Sequence, residues 1–399
     1  MSFVDGMESN FIPGVLSLLQ DEFHFGDTAA GAIPTAMAIA GLVVTLPAGY
    51  LADRTNRSRL LAIVVGSWSV FTLASGLATS FAMFFVIRVL LGTAAHIDNP
   101  LSGSLVSDYY PASTRARVFA LIRASGYIGL SLGIAIGGGL GQAFGWRAPF
   151  FAMVVPGLAV AFFVFRLKEP PRGGVDSHPV HEHAIERGRR ALWADCRAVM
   201  SVRTLRYLFV GVAVAFAGFN GLGYWLPSFW EREFGLSEGE AAALTGALAL
   251  VAVSIGFWIG GVLGDRWHRD RPTGRIDLAA ITLLLGGTLL VAAFVVHLIA
   301  LQFPLLLMAA VLVVSGMPSQ AATVADVLPS ARRGIGYAVF TFLVAVSSAL
   351  GPLVVGIVSD LSGSLRTALI VSSVPCIPGA LVLASARRSY VEDCKAVTG

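Results

Sequence analysis

Gly49-Tyr-Leu-Ala-Asp-Arg-Thr-Asn-Arg57 and Gly260-Gly-Val-Leu-Gly-Asp-Arg-Trp-His-Arg269 are the two stretches on which the reading of this chain turns. Both run Gly-x-Leu-small-Asp-Arg and then add further arginines, and each follows a long apolar segment. The same short motif at equivalent places in two halves of a chain marks an internal duplication. Gly49 and Gly261 suit close helix approach, and Asp53 and Asp265 end a helix where arginines can pair with them. Asp53, Arg54, Arg57, Asp265 and Arg266, with the two glycines, are therefore expected to form a cytoplasmic gate.

The surroundings of the motifs are those of a membrane protein. Of the 399 residues 56% are apolar and 13% charged, against about 25% charged in soluble domains. Mean hydropathy is +0.76. A bilayer core about 30 Å thick needs about 20 apolar residues per helix, which gives twelve spans: 1–20, 28–51, 59–79, 81–107, 114–143, 147–167, 205–229, 238–264, 276–300, 303–327, 333–360 and 364–386. The expected fold is an all-α polytopic membrane protein with twelve transmembrane helices in two pseudo-symmetric six-helix bundles. The expected division is 1–167 for the first bundle, 168–204 for a cytoplasmic linker with an amphipathic helix, 205–386 for the second bundle and 387–399 for a tail. Residues 1–19 lack a basic leader and a cleavage site, so they read as a retained first span.

Of the 28 lysines and arginines, 23 fall in the even-numbered loops and the tail or in the span ends that border them. Arg147, Arg232 and Arg366 lie on the opposite side, and Arg88 and Arg123 lie within spans. By the positive-inside rule both termini are cytoplasmic, and the expected location is the plasma (inner) membrane. The net charge of +4 has no basic block interleaved with aromatics, so no nucleic-acid partner is expected. Cys196, Cys376 and Cys394 have no disulfide or zinc spacing, and His178, His181 and His183 sit in a solvated loop. Neither metal nor cofactor is expected. Gly-x-x-x-x-Gly-Lys-Ser/Thr, HExxH and Gly-x-Ser-x-Gly are all absent, which argues against direct ATP use and against an enzyme.

Taken together the repeated motifs, at Gly49, Leu51, Asp53, Arg54 and Arg57 and again at Gly261, Asp265 and Arg266, resemble the loop signature of the major facilitator superfamily. A narrower resemblance, to the Spinster-like branch, rests on Gly221-Leu-Gly-Tyr-Trp-Leu-Pro227, Pro156-Gly157, Glu169-Pro-Pro-Arg-Gly173, Val324-Ala-Asp326 and Arg332-Arg333. The first resemblance implies alternating access by two rocking bundles, and the second implies a lysolipid-like cargo. Spinster-like proteins carry an Asp-Arg pair in span one and a glutamate in span four; this chain has Glu8-Ser9 and Ala95 there.

Ionisable groups inside a bilayer mark pathways. On span four Arg88, Gly92, Ala95 and Asn99 share one stripe, with His96 and Asp98 on opposite flanks. Glu8 with Asp98 or His96 is expected to carry protons, with Arg88 or Arg123 as counter-charge. Asn99, Asn220, Tyr224, Trp225 and Gln320 are the candidate substrate contacts, although Trp225 also suits an interfacial aromatic belt. Gly126, Gly129, Gly133, Gly137 and Gly141 stack on one face of span five and read as helix packing. The function expected is secondary, proton-coupled transport of a small organic or amphipathic solute by a monomer in contact with membrane lipids. The alternatives are an uncoupled facilitator of the same fold and a lipid sensor that moves nothing.

Overall fold

The computed structural model of the chain describes residues 1–171 and 189–398, and almost all of them are helical. The first crossing is α1 (Ser2–Ser9) followed by α2 (Ile12–Phe23). Next come α3 (Asp27–Arg54), α4 (Arg57–Gly76), α5 (Phe81–Tyr109), α6 (Ala112–Phe144) and α7 (Ala148–Phe165). After the short α8 (Arg189–Ser201) the chain continues through α9 (Arg203–Phe234), α10 (Glu238–Asp270), α11 (Gly274–Val295), α12 (Ile299–Asp326) and α13 (Ser330–Ser362). The last crossing is divided into α14 (Leu365–Ser373) and α15 (Cys376–Ser385), and α16 (Arg387–Thr398) follows it.

Ten helical stretches among the described residues are long and apolar enough to cross a bilayer. Helix α5 supplies an eleventh crossing with the shorter apolar run Phe81–Ala95. The twelfth is the α1–α2 pair, which is broken rather than continuous. Asn10 stops α1 by turning its side-chain amide back onto the Gly6 carbonyl (2.9 Å), and Pro13 sits in the first turn of α2, where a missing N–H costs nothing. Pro375 opens α15 in the same manner. Asn56 caps α4 through the Arg59 N–H (2.9 Å), and Ser80 caps α5 through the Met83 N–H (3.3 Å), so two orphan donors at helix starts are satisfied locally. Within the stretch expected to be the linker the described residues form α8, Arg189–Ser201, and α9 begins at Arg203; His178, His181 and His183 lie outside the described residues.

Two compact units emerge: Met1–His181 together with Trp225–Ala247, and Glu182–Tyr224 together with Leu248–Gly399. In the first, α3 packs on α5, α4 on α5 and α7, and α1 and α2 on α6. Phe11, Phe84, Trp146 and Phe150 meet edge to face at ring separations of 5.9–6.3 Å, a geometry that adds to simple area burial. In the second, α11 packs on α12 and α15, and α13 on α14.

Lipid tails are as apolar as leucine, so helices associate in a bilayer through close packing rather than oiliness. The glycine stripe of α6 does this work against α1. A Cβ on Gly129 would strike the Phe3 carbonyl, and one on Gly133 the Met7 carbonyl. The second unit has a counterpart where Gly221 of α9 meets Gly351 of α13 backbone to backbone. Gly139 of α6, by contrast, has nothing within 4 Å of its Cβ position. Gly133→Ala should therefore lower thermal stability in detergent by about 1–3 kcal/mol, the cost of overpacking a tight contact. Gly139→Ala should be neutral or slightly stabilising, since alanine is the better helix former; equal melting shifts for the two variants would refute this account of α6.

Candidate functional site

The deepest polar contact in the first unit joins span one to span four. Arg88 of α5 has no exposed surface, and its Nη1 donates to Oε1 of Glu8 (2.6 Å), at the end of α1 just before the break. The Thr72 hydroxyl of α4 donates to the same oxygen (3.1 Å). The guanidinium carbon lies 5.8 Å from the Phe150 ring centre, a cation–π distance. Arg88 Nε and Nη2 are buried and have no hydrogen-bond acceptor among the described residues. An arginine fork with one arm paired and two donors unused can accept a second anion. Stripping Glu8 from Arg88 without a replacement would cost about 3–5 kcal/mol, because an uncompensated charge would stay buried.

A second buried acidic group lies further along α5. Asp98 is 6% exposed, and its carboxylate is within Coulombic reach of Asp5 of α1. Asp5 escaped the sequence reading because it stands at the edge of the first span, where a carboxylate reads as a solvated end. The side chains of His96 and Asn99 lie outside the described residues. Arg123 is exposed and is not brought to the Glu8–Arg88 pair.

At the other end of the first unit Arg57, 2% exposed, is the hub of a network. It donates to the Asp108 carboxylate and the Ser104 hydroxyl (2.7 Å) at the end of α5, to Glu169 Oε1 (2.7 Å), and to the Pro170 carbonyl (3.2 Å). Glu169 Oε2 also accepts the Ser58 backbone N–H (2.9 Å) in the first turn of α4. Burial disfavours the charge of Glu169, but the Ser58 N–H and the Arg57 guanidinium outweigh it and hold the carboxyl below the usual glutamate range. The second unit repeats the device. Arg275, in the first turn of α11, donates to both Asp326 oxygens at the end of α12 (2.7 and 2.8 Å), and Tyr390 of α16 donates to Asp326 Oδ2 (2.7 Å). Arg275 also reaches Asp265 at 3.4 Å.

The side chains of Gly49, Asp53 and Arg54 lie outside the described residues. In the second copy, Arg266 is exposed, and the expected close approach at Gly261 is absent, since a Cβ there meets nothing within 4 Å. Gly260 makes that approach instead, against the Ser315 carbonyl; one residue is 100° of helix, enough to change which glycine faces α12. The sequence reading missed Asp108, Arg275 and Tyr390. A signal for the acids was available, because Ser104-Leu-Val-Ser-Asp108 and Ala322-Thr-Val-Ala-Asp326 share Val-small-Asp at matching positions of the repeat.

The remaining candidates are dispersed. Asn220 is exposed and donates to the Ser348 hydroxyl (2.8 Å) within the second unit. Tyr224 is 9% exposed and Trp225 fully buried, with the Arg232 guanidinium 6.0 Å from the Trp225 ring. Gln320 is 2% exposed, and its Nε2 meets no acceptor among the described residues. Arg147, Arg232 and Arg366, exceptions to the charge asymmetry, all bind helix ends. Arg147 pairs with Glu22 (2.8 Å), Arg232 pairs with Asp27 (2.7 Å), and Arg366 donates to the Phe294 and Val296 carbonyls (2.8 and 2.9 Å).

Known proteins with this pattern are membrane transporters. Residues 1–352 match the family model of the Major Facilitator Superfamily. Over 302 residues the chain is 26% identical to Protein spinster of Drosophila melanogaster, which covers 73% of this chain and 49% of that protein. It is 23% identical over 381 residues to a probable galactarate/D-glucarate transporter of Bacillus subtilis (strain 168), covering 88% and 82%. The chain spans about half the length of the spinster relative from Drosophila. Among solved structures, a bacterial homolog of the human lysosomal transporter Spinster superposes with a TM-score of 0.86 at 22% identity, covering 98% of this chain and 96% of the other. A D-xylose–proton symporter gives 0.75 at 15%, covering 96% and 94%. Both likenesses are of fold. With twelve crossings, a duplicated Asp-Arg motif and a family match from the first residue to the eleventh crossing, the chain belongs to the Major Facilitator Superfamily.

Proposed function

We propose that this chain is a proton-coupled secondary transporter that moves a small organic or amphipathic solute carrying an anionic group. It works by alternating access of two six-crossing halves, 1–167 and 205–386, joined by the linker 168–204. Its termini are cytoplasmic, on the arginine-rich side. The observation that carries the reading is the Glu8–Arg88 pair with two guanidinium donors left over. A proton arriving on Glu8 would leave Arg88 uncompensated in a dry site, and a carboxylate or phosphate of the cargo would restore the balance. Proton uptake and cargo binding then favour each other by about 3 kcal/mol, roughly 150-fold in affinity, within the usual range of coupling energies. Both the name of the Bacillus relative, a sugar-diacid transporter, and the lysolipid-like cargo implied by the Spinster resemblance fit an anionic headgroup. Asp98, with Asp5 beside it, is the second proton carrier, and Asn99, Asn220, Tyr224, Trp225 and Gln320 are the proposed cargo contacts.

The Arg57 and Arg275 networks, with Gly49, Asp53, Arg54, Gly261, Asp265 and Arg266, form the proposed cytoplasmic gate. Each network ties the start of one helix to the end of the next and to the segment beyond the sixth or twelfth crossing. The gate therefore moves as a rigid end of each half rather than as a flexible loop.

In proteoliposomes with an imposed pH gradient, a panel of sugar diacids and single-chain phosphate or carboxylate amphiphiles should reveal gradient-driven uptake. Glu8→Gln should abolish the response to the gradient while preserving exchange of cargo across the membrane, and full gradient-driven uptake by that variant would end the coupling proposal. Arg88→Gln should reduce uptake at least about tenfold, the loss expected when an anion loses a charge-assisted partner. Vesicles that bind cargo but show neither flux nor exchange would point to a sensor instead. For the gate, Glu169→Gln should lower thermal stability by about 1–2 kcal/mol, since the Ser58 N–H keeps an acceptor and only the charge is lost. Arg57→Gln should cost about 3 kcal/mol, because Asp108 and Glu169 are left facing each other; equal effects of the two would contradict Arg57 as the hub.

A further inference from the structure

Asp27 and Arg57 stand at opposite ends of the first unit, separated by the 28 residues of α3, or about 40 Å of helix. The Asp27 end carries its own closed polar ring. Arg232 of α9 grips Asp27 with both arms, Nη1 to Oδ2 at 2.7 Å and Nη2 to Oδ1 at 2.8 Å. Gln20 of α2 closes the ring, accepting from Arg232 Nη2 (2.9 Å) and donating to Asp27 Oδ1 (2.9 Å). Three helices thus meet through a bidentate charged fork and an amide that matches both partners, the geometry in which such pairs are strongest.

The ring pins one particular piece of chain. Trp225–Ala247, the end of α9 and the start of α10, packs with the first unit, while the remaining lengths of both helices belong to the second. Behind the ring the hairpin sits closely on α6. The Gly239 N–H donates to Gln142 Oε1 (3.0 Å), Gly138 lies against Ala242 and the Glu238 carbonyl, and a Cβ on Gly246 would meet the Ser131 carbonyl. These contacts with α6 are between small residues, while Trp225, Phe229 and Trp230 of the same hairpin are fully buried. Arg232 keeps 37% of its side chain exposed and Asp27 9%, so opening the ring leaves the guanidinium in contact with water, unlike that of Arg88.

We infer that Gln20, Asp27 and Arg232 are the gate of the transporter on the face opposite the arginine-rich end, holding the α9–α10 hairpin to the first unit when that face is shut. The inference rests on the transporter reading, but its test needs no cargo. Ser228 lies on α9 one turn before Arg232 and is fully buried. In a background with the three native cysteines replaced, Ser228→Cys is exposed to a membrane-impermeant thiol reagent applied from the Asp27 side. Asp27→Asn and Arg232→Gln should each raise the labelling rate about two- to five-fold, the range for losing a half-exposed ion pair from a two-state equilibrium. The exchanged pair Asp27→Arg with Arg232→Asp should bring the rate back towards that of the parent, which a merely misfolded protein would not show. Unchanged labelling in the single variants overturns the gate, and so does a failure of the exchanged pair to slow it. A protein that fails to transport yet shows this pattern would retain the gate and lose only the cargo proposal.

Discussion

The constraint on which this structure depends is that a guanidinium cannot be left alone away from water. Five arginines bear directly on it: Arg57, Arg88, Arg232, Arg275 and Arg366 each donate to a carboxylate or to carbonyl oxygens at a helix end or break. In a soluble protein such residues would be scattered over a hydrated surface, contributing little to stability. Here each one is committed to a partner, and the partner is nearly always on a different helix. The ion pairs consequently specify which helix ends meet, a role that apolar packing in lipid performs poorly because tails and side chains are equally oily.

That constraint also separates fixed contacts from switchable ones. Arg57 has four acceptors and stays close to saturated whatever happens to one of them. Among the described residues Arg88 has a single carboxylate, shared with Thr72, and two donors without a partner. A saturated hub resists change; an under-used fork responds to any new anion or to the loss of its carboxylate's charge. Arg57 meets α5 at Ser104 and Asp108, about five turns of helix from Arg88. The rigid end and the responsive centre are thus built from one residue type with different numbers of neighbours.

The fold was legible in the sequence because its determinants are local or repeated: runs of apolar residues, charge asymmetry between loops, and a motif that occurs twice. The glycine stripe of α6 was legible as packing because its four-residue spacing needs no knowledge of the partner. Pairings were less accessible. Glu8 and Arg88 were singled out by their cost in a bilayer, yet nothing in the spacing joins residues 80 positions apart. Asp108 was overlooked and Asp326 entered only within a family motif, although comparing the halves at matching positions exposes both as helix-end acids. Gly260 rather than Gly261 meets α12, an error of one residue that motif alignment invites and helical phase alone corrects. Arg232 was set aside as an exception to the charge rule, and the exception is what the Asp27 end of the bundle uses.

The break in the first crossing connects these observations. Gly129 and Gly133 bring the α1 backbone against α6, and an uninterrupted helix held there would continue straight past α5 and α7. Asn10 and Pro13 end α1 one turn after its closest contact, so Glu8 becomes the last acidic residue before a change of direction. The end of a helix leaves carbonyls without intrahelical donors, and positive charge is favoured beside them. At this end of α1 the Gly6, Met7 and Glu8 carbonyls are taken up by Asn10 and Phe11, so what Arg88 meets is the Glu8 carboxylate. Moving the glutamate by one position along α1 would turn its carboxylate by 100° and send it to another face. The glycines on α6, the two-residue interruption at Asn10 and the arginine on α5 form one device, in which close backbone packing fixes where a charge can be placed.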